Sequence, residues 1–278
     1  MTEVDDSDRA IALRIRQVSQ LRKLCLSLGK AKPAPASTHE WGTQPEMFGP
    51  RHEYRLGMII REVERLPRGV RLLDGAVGLG QLARRMQRSG YRVIGIDYAF
   101  DAALYSMRSG VPSVVGDMTR MPFRDGAFDG LTTGETLEHL DDDTAAAREI
   151  GRVLREGGTA IATVPALKSL WSASDDYYEH RRRYSRAELV ALFRAASLTV
   201  RKAMFWGFPI VLVYDTLFLL PMNRRRARHR VEDDAALQSV ARVGKSRLLV
   251  SMAKAVFSID RLFRFVPFGP GLLIVGRK

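Results

Sequence analysis

The chain has a single cysteine, Cys25, among its 278 residues. No internal disulfide can form, and a zinc site of four cysteines is excluded. Such cysteine usage fits a reducing, cytoplasmic setting. The start, "MTEVDDSDRA", lacks the basic residues and apolar run of a secretory signal. Histidine is scarce: His39, His52, His139, His180 and His229 are the full set. Acidic residues thin out towards the end. From Arg201 to Lys278 there are 15 Lys/Arg against 5 Asp/Glu, so most of the net charge of +13 sits in the last third. Such a region favours an anionic partner (nucleic acid, an acidic membrane surface or a phosphorylated substrate), or it is a plain solvated surface.

What is present is ordinary for a globular chain: 46% hydrophobic and 27% charged residues, enough to bury a sizeable core. Ile11, Leu13, Ile15, Val18, Leu21 and Leu24 recur broadly at helical spacing, which predicts a helix over 7–29. "KAKPAPAS" then reads as a linker. A second helix is expected over 52–66. Strand and helix then alternate: "VRLLDG", "QLARRMQRSG", "YRVIGID", "FDAALYSMRSG", "PSVVGD", "FDGLTTG", "DTAAAREIGRVLREGG", "GTAIATVP", "SRAELVALFRAA", "LTVRKAMFW" and a final "GPGLLIVGRK". The alternation predicts an α/β fold, with a doubly wound, mostly parallel sheet covered on both faces. The expected divisions are an N-terminal extension over 1–37, a core over 38–202, a helical insertion over 203–266 and a last core strand over 267–278.

Ligands of such sheets sit at the carboxyl ends of the strands. Here those ends present Asp74 with Gly75, Gly78 and Gly80, then Asp97, then Asp117-Met118, then Thr133-Gly134-Glu135. An acid ending the second strand suits ribose hydroxyls. An acid after the third can accept from an adenine amino group, with Met118 against the ring. A nicotinamide dinucleotide is disfavoured. Its fingerprint is G-x-G-x-x-G, and Gly75-Gly78-Gly80 has the opposite spacing.

Taken together, these motifs resemble the class I S-adenosylmethionine-dependent methyltransferases. The resemblance covers about residues 70–200, through "LLDGAVGLG", "VIGID", "GDMTRMPFRDGAFD", "LEHLDD" and "EIGRVLREGGTAIATVP". It implies a seven-stranded sheet with one antiparallel strand at its edge, and S-adenosylmethionine as cofactor. It implies a cofactor site of Asp74, Gly75, Ala76, Gly78, Gly80, Asp97, Tyr98, Asp117, Met118 and Thr133. Ala76 departs from the pattern, which has glycine there. A methyl group is tolerable if the backbone keeps a negative φ, with Gly75 taking up the strain one position early. A cofactor-binding scaffold without turnover is the alternative this departure raises.

Methyl transfer needs positioning, and a base when the nucleophile is a hydroxyl. His139, in "GETLEHL", and His180, in "DDYYEHRRRYSRAEL", fall on the acceptor side, with Glu135 beside them. The E-x-x-E-H run Glu135–Glu138–His139 resembles one in ubiquinone-biosynthesis O-methyltransferases. The same run is widespread without a metal role, and no metal is expected. The place after the fourth strand reads Thr133-Gly134-Glu135-Thr136, without the Pro-Pro-aromatic signature of base amino-methylation. Nucleic acid is therefore not the expected partner, although ribose or ring-nitrogen methylation of RNA is an open alternative.

Finally, "AMFWGFPIVLVYDTLFLLPM" at 203–222 has the length of a membrane span but contains Pro209 and Asp215. "NRRRARHR" follows it. Some fifty residues separate the sixth and seventh strands. They read as a helical insertion that meets an anionic membrane surface, forms an apolar acceptor pocket or makes a homodimer interface. The expected substrate is a small or lipid-like acceptor, methylated on oxygen.

Overall fold

A computed structural model describes residues 49–229 and 247–278. The helix expected over 7–29, its linker and Cys25 lie outside the described residues. Seven strands form one sheet in the order β3-β2-β1-β4-β5-β7-β6. They are β1 (Arg71–Gly75), β2 (Arg92–Asp97), β3 (Ser113–Val115), β4 (Phe128–Gly134), β5 (Leu154–Pro165), β6 (Thr199–Trp206) and β7 (Gly271–Arg277). The β1 to β5 pairs are parallel, and β7 runs antiparallel to both β5 and β6. The antiparallel strand thus lies one place inside the edge. The strand order reverses between β1 and β4, which opens a crevice at their carboxyl ends.

Both faces of the sheet are covered. Leu72 and Leu73 are adjacent in β1 and project to opposite faces, as a pleated strand requires. Leu72 packs with Ile59 and Val63 of α1 (Pro50–Val63) and with Leu82 and Met86 of α2 (Gln81–Arg88). Leu73 packs with Ile96, Leu131 and Leu137, and with Ile150 of α4 (Asp143–Val153). This double burial explains why the strands read as continuous apolar runs. The helix α3 (Phe100–Arg108) joins β2 to β3, and α6 (Arg186–Ala195) precedes β6. A capping box of Ser185 and Glu188 starts α6.

Two boundaries differ from expectation. The helix "DTAAAREIGRVLREGG" stops at Val153, and Leu154 already belongs to β5, where it pairs with Phe128. Five residues that look helical are thereby drawn into the sheet. β6 runs to Trp206, as "LTVRKAMFW" predicts, so the first four residues of the segment 203–222, expected in the helical insertion, lie in the strand. The helical part begins later, with α7 (Ile210–Tyr214), a π-turn over Asp215–Leu219 and α8 (Leu220–His229). After the undescribed residues come α9 (Arg247–Phe257) and a 3-10 turn over Ser258–Phe263. Among the described residues no helix is long and apolar enough to cross a membrane. The insertion docks on the sheet through Tyr54, Met58, Trp206, Val211, Phe257 and Leu273.

Candidate active site

The turn after β1 is built by backbone bonds to β2. The Val77 amide donates to the Ile96 carbonyl at 2.9 Å, and the Gly80 amide returns to the Val77 carbonyl at 2.8 Å. The Gly78 amide donates to Asp97 Oδ2 at 2.8 Å, and the Ala99 amide to Asp97 Oδ1 at 2.9 Å. Asp97 thus clamps the turn. Each carboxylate oxygen has two lone pairs, so acceptor capacity remains for a ligand hydroxyl. Burial pushes the Asp97 carboxyl up, against the pull of these amides. Tyr98 follows it, half exposed.

Ala76, Gly78 and Gly80 have φ of 56°, 51° and 69°. Three left-handed residues at alternate positions curl the chain tightly. The expectation for Ala76 is therefore corrected: it is itself left-handed, and Gly75 stays in the strand. The bonds of Val77 to β2 and of Gly80 to Val77 fix the turn around it. The side chain of Ala76 faces solvent, so its methyl meets no steric block, and the strain is of the backbone alone. Gly75 packs against the tip of Met118. A Cβ there would come within 2.7 Å of Met118 Cε and 2.8 Å of its Sδ.

Asp74 is held inside the protein. It is 3% exposed, and its Oδ1 accepts from Thr132 Oγ1 at 2.9 Å. Burial raises its carboxyl to about 8, and the Ala83 amide also bonds to it. Asp117 is exposed and closes a tight turn by accepting from the Thr119 amide and hydroxyl at 2.7 and 2.8 Å. Thr133 lies opposite Gly75 in the sheet, and its Oγ1 is buried without a hydrogen-bond partner.

At the end of β4 the chain turns through Glu135, with φ of 55°. Its carboxylate lies 3.4 Å from Arg51 and 3.2 Å from Arg55, an i,i+4 pair on α1. Burial alone would raise Glu135, but Arg55 and Arg51 outweigh it and hold the carboxyl below its ordinary value. Arg51 also reaches Asp215 of the π-turn at 3.0 Å. A π-turn inside a helix commonly marks a functional segment. Here it carries the acid that ties the insertion to the sheet edge.

Glu138 and His139 follow in a short 3-10 turn. Glu138 is fully buried, and burial together with the charge of Glu135 raises it well above its ordinary value. His139 is lowered to about 3, by burial first and His180 second, so it is neutral at physiological pH. The His139 and His180 rings meet edge to face at 4.8 Å.

The run His180-Arg181-Arg182-Arg183-Tyr184 docks residue by residue. His180 Nδ1 lies 2.8 Å from Asp175 Oδ1. Arg181 donates its amide to the Glu138 carbonyl at 2.8 Å. Arg182 pairs with Asp143 at 3.0 Å, and the Tyr184 hydroxyl donates to Asp143 at 2.7 Å. Arg183 grips both oxygens of Asp175 at 2.6 and 2.9 Å. Asp175 also completes a capping box with Ser172 at the start of α5 (Ala173–Tyr177). Asn223 of α8 donates to Ser174 Oγ and to the Tyr178 hydroxyl, both at 3.0 Å, so the insertion roofs this loop. The structure therefore gathers His139, His180 and Glu135 at one place. Arg51, Arg55, Asp175 and Asp215 are additions that sequence reasoning missed. The i,i+4 arginines and the Ser172-x-x-Asp175 pattern were the available signals.

Comparison with known proteins decides the family. A methyltransferase domain family matches residues 73–162. The ubiquinone biosynthesis O-methyltransferase of Chromobacterium violaceum is 31% identical over 220 residues, which is 68% of this chain and 93% of that protein. This chain belongs to the class I S-adenosylmethionine-dependent methyltransferases. A demethylmenaquinone methyltransferase of Mycolicibacterium vanbaalenii is 31% identical over 162 residues, 49% of this chain and 71% of the relative. The crystal structure of the [4+2]-cyclase SpnF shares the fold, with a TM-score of 0.57 at 21% identity over 94% of this chain and 95% of that one.

The cofactor of this methyltransferase is S-adenosylmethionine, and the crevice fits it. Thr133 Oγ1 is buried with no partner within the protein, and Asp97 retains acceptor capacity.

Left-handed alanine costs about 1–2 kcal/mol, and glycine regains part of that as unfolded-state entropy. Ala76→Gly is therefore expected to raise unfolding stability by about 0.5–1 kcal/mol in urea titration. A lower midpoint would contradict the left-handed assignment.

Proposed function

We propose that this methyltransferase acts on a hydroxyl oxygen of a small, lipid-like, quinone-type acceptor. The observation that carries the reading is the cluster of Glu138, His139 and His180, whose ligand atoms lie within 4.8 Å of one another beside the end of β4. Asn223 of α8 bonds to Ser174 and Tyr178 in the loop that carries His180. The relatives named for ubiquinone biosynthesis and demethylmenaquinone support the same acceptor class.

In this reading Asp97 and Tyr98 hold the ribose, Asp117 and Met118 the adenine, and Thr133 supplies a further hydrogen bond. The backbone of Gly75, Ala76, Gly78 and Gly80 lets the amino-acid end approach closely, and Asp74 supports the turn from beneath. When bound, S-adenosylmethionine supplies an electrophilic methyl on a sulfonium. The protein's part is positioning and proton management. His180, oriented by Asp175, and neutral His139 hold the acceptor oxygen. Glu135, kept ionised by two arginines, sets a negative field beside them. With its Nδ1 held by Asp175, His180 would take the hydroxyl proton on Nε2, and the methyl that S-adenosylmethionine would supply would pass to the oxygen. The products are a methyl ether and S-adenosylhomocysteine. Incubation with a prenylated catechol or hydroquinone should give the ether, identified by mass and NMR. His180→Ala should lower kcat by about 10²–10⁴-fold with unchanged S-adenosylhomocysteine affinity. Methylation at carbon or nitrogen would overturn the reading.

A second feature bears on delivery of such an acceptor. Eight of the twelve exposed large apolar side chains described are Val213, Leu217, Phe218, Met252, Val256, Ile259, Leu262 and Phe265, all in the insertion. Arg224, Arg261 and Arg264 are exposed among them. Apolar side chains interleaved with cations suit the interface of an anionic bilayer. The insertion is proposed to rest on such a surface through these side chains. The protein should sediment with phosphatidylglycerol vesicles and less so at high salt. Leu262→Glu with Phe265→Glu should abolish that binding. If those substitutions instead split a dimer in light scattering and leave vesicle binding intact, the face joins two copies.

A further inference from the structure

β6 is the last strand of the sheet and is bonded to β7 on one side only. Among the described residues its outer edge makes no backbone hydrogen bond. A strand paired on one side points half of its N–H and C=O groups outward, as a template for another strand. Edges of this kind are commonly guarded by irregular pairing and by cations. Here the register shifts between Val200 and Lys202, and Arg201 lies between them.

The helix α6 packs beside that edge. Arg186, Val190 and Arg194 recur every four residues and so share one stripe of the helix. That stripe and β6 wall an open groove of about 830 Å³. Its floor is aliphatic: Val190, Val200 and Ala203 pack against the core. Arg186, Arg194 and Arg201 stand exposed around it, and no acid lines it. Lys202 also borders the groove but is taken up by Glu62 at 2.5 Å. Among the described residues the three arginines have no such partner. The groove thus joins unpaired backbone to three unmatched cations.

We propose that this groove binds an extended acidic segment of a partner protein, which adds to the sheet as a strand outside β6. The chemistry selects that occupant. The same edge of a second copy would bring Arg201 and Lys202 against their own kind, and like charges across a strand pair repel. A nucleic acid would meet the cations but find no aromatic ring on which a base could stack. An added strand satisfies the outer backbone groups of β6 and offers alternate side chains to the α6 side. Arg186 and Arg194 are eight residues apart on the helix, about 12 Å along its axis. Residues i and i+4 of a strand lie about 13 Å apart on one face. Acids at alternate positions of the segment therefore match the arginine stripe. None of these residues enters the cofactor crevice or the cluster of Glu138, His139 and His180, so the groove does not depend on the methylation reading.

The test uses the full chain and a fluorescent eight-residue peptide of alternating glutamate and threonine, followed by polarisation. Saturable binding is expected. Arg194→Glu combined with Arg201→Glu should weaken it at least tenfold. Ala191→Trp fills the groove without changing its charge and should weaken it as much. Unchanged S-adenosylhomocysteine affinity reports that each variant is folded. Hydrogen exchange of the β6 amides should slow when the peptide is bound. Absence of saturable binding overturns the site, as does equal binding of a lysine–threonine peptide or full binding by either folded variant. Binding that leaves exchange in β6 unchanged refutes strand addition. Tighter binding of an oligothymidylate, with the same dependence on Arg194 and Arg201, would assign the groove to nucleic acid and overturn the peptide site.

Discussion

Glu135 sits where β4 stops, and the guanidinium groups of Arg51 and Arg55 close on its carboxylate at 3.4 and 3.2 Å. An acid this deep has to find a cation or a proton, since burial of an unpaired charge costs several kcal/mol. The rest of the acceptor side is arranged around that requirement. Arg51 extends the pairing to Asp215, which brings the π-turn of the insertion against α1. One ion network thereby joins the helix before the sheet, the end of a central strand and the inserted helices. Breaking it at Glu135 would leave two buried cations and undo the join.

The cofactor side depends on a smaller device. Asp97 receives the amides of Gly78 and Ala99, so one carboxylate both shapes the turn after β1 and stands at the end of β2. The family's glycine at position 76 is replaced, yet the turn keeps its hand. Bonds to β2 outweigh the preference of one alanine. Strain of about 1–2 kcal/mol at a ligand-binding turn is affordable where the surrounding register determines the conformation.

Much of this was legible in the sequence, and the limits follow from range. The alternation of strands and helices, the glycine spacing and the row of acids at strand ends are local patterns. They led to the sheet, the family and the cofactor. The hand of Ala76 was not legible, because it is set by a bond between Val77 and Ile96 in the next strand. The pairing of Arg51 with Glu135 and Asp215 joins residues 84 and 164 positions apart, beyond any helical or strand period. The start of β5 at Leu154 was hidden for a related reason. "LREGG" continues a helical pattern, and only its place beside Phe128 makes it strand. His139 and His180 were found as separate candidates. Their edge-to-face contact at 4.8 Å comes from the docking of the arginine-rich loop.

The account joins two halves: a turn clamped by Asp97, and a polar cluster of Glu138, His139 and His180 beside a loop bonded to the insertion. The methyl group must pass from one to the other. A crystal structure with S-adenosylhomocysteine tests this most directly. The account predicts ribose hydroxyls on Asp97, adenine beside Asp117 and the sulfur opening towards the Glu138–His139–His180 cluster. A nucleoside seated away from Asp97, or a sulfur facing α3 with the cluster walled off, would contradict it.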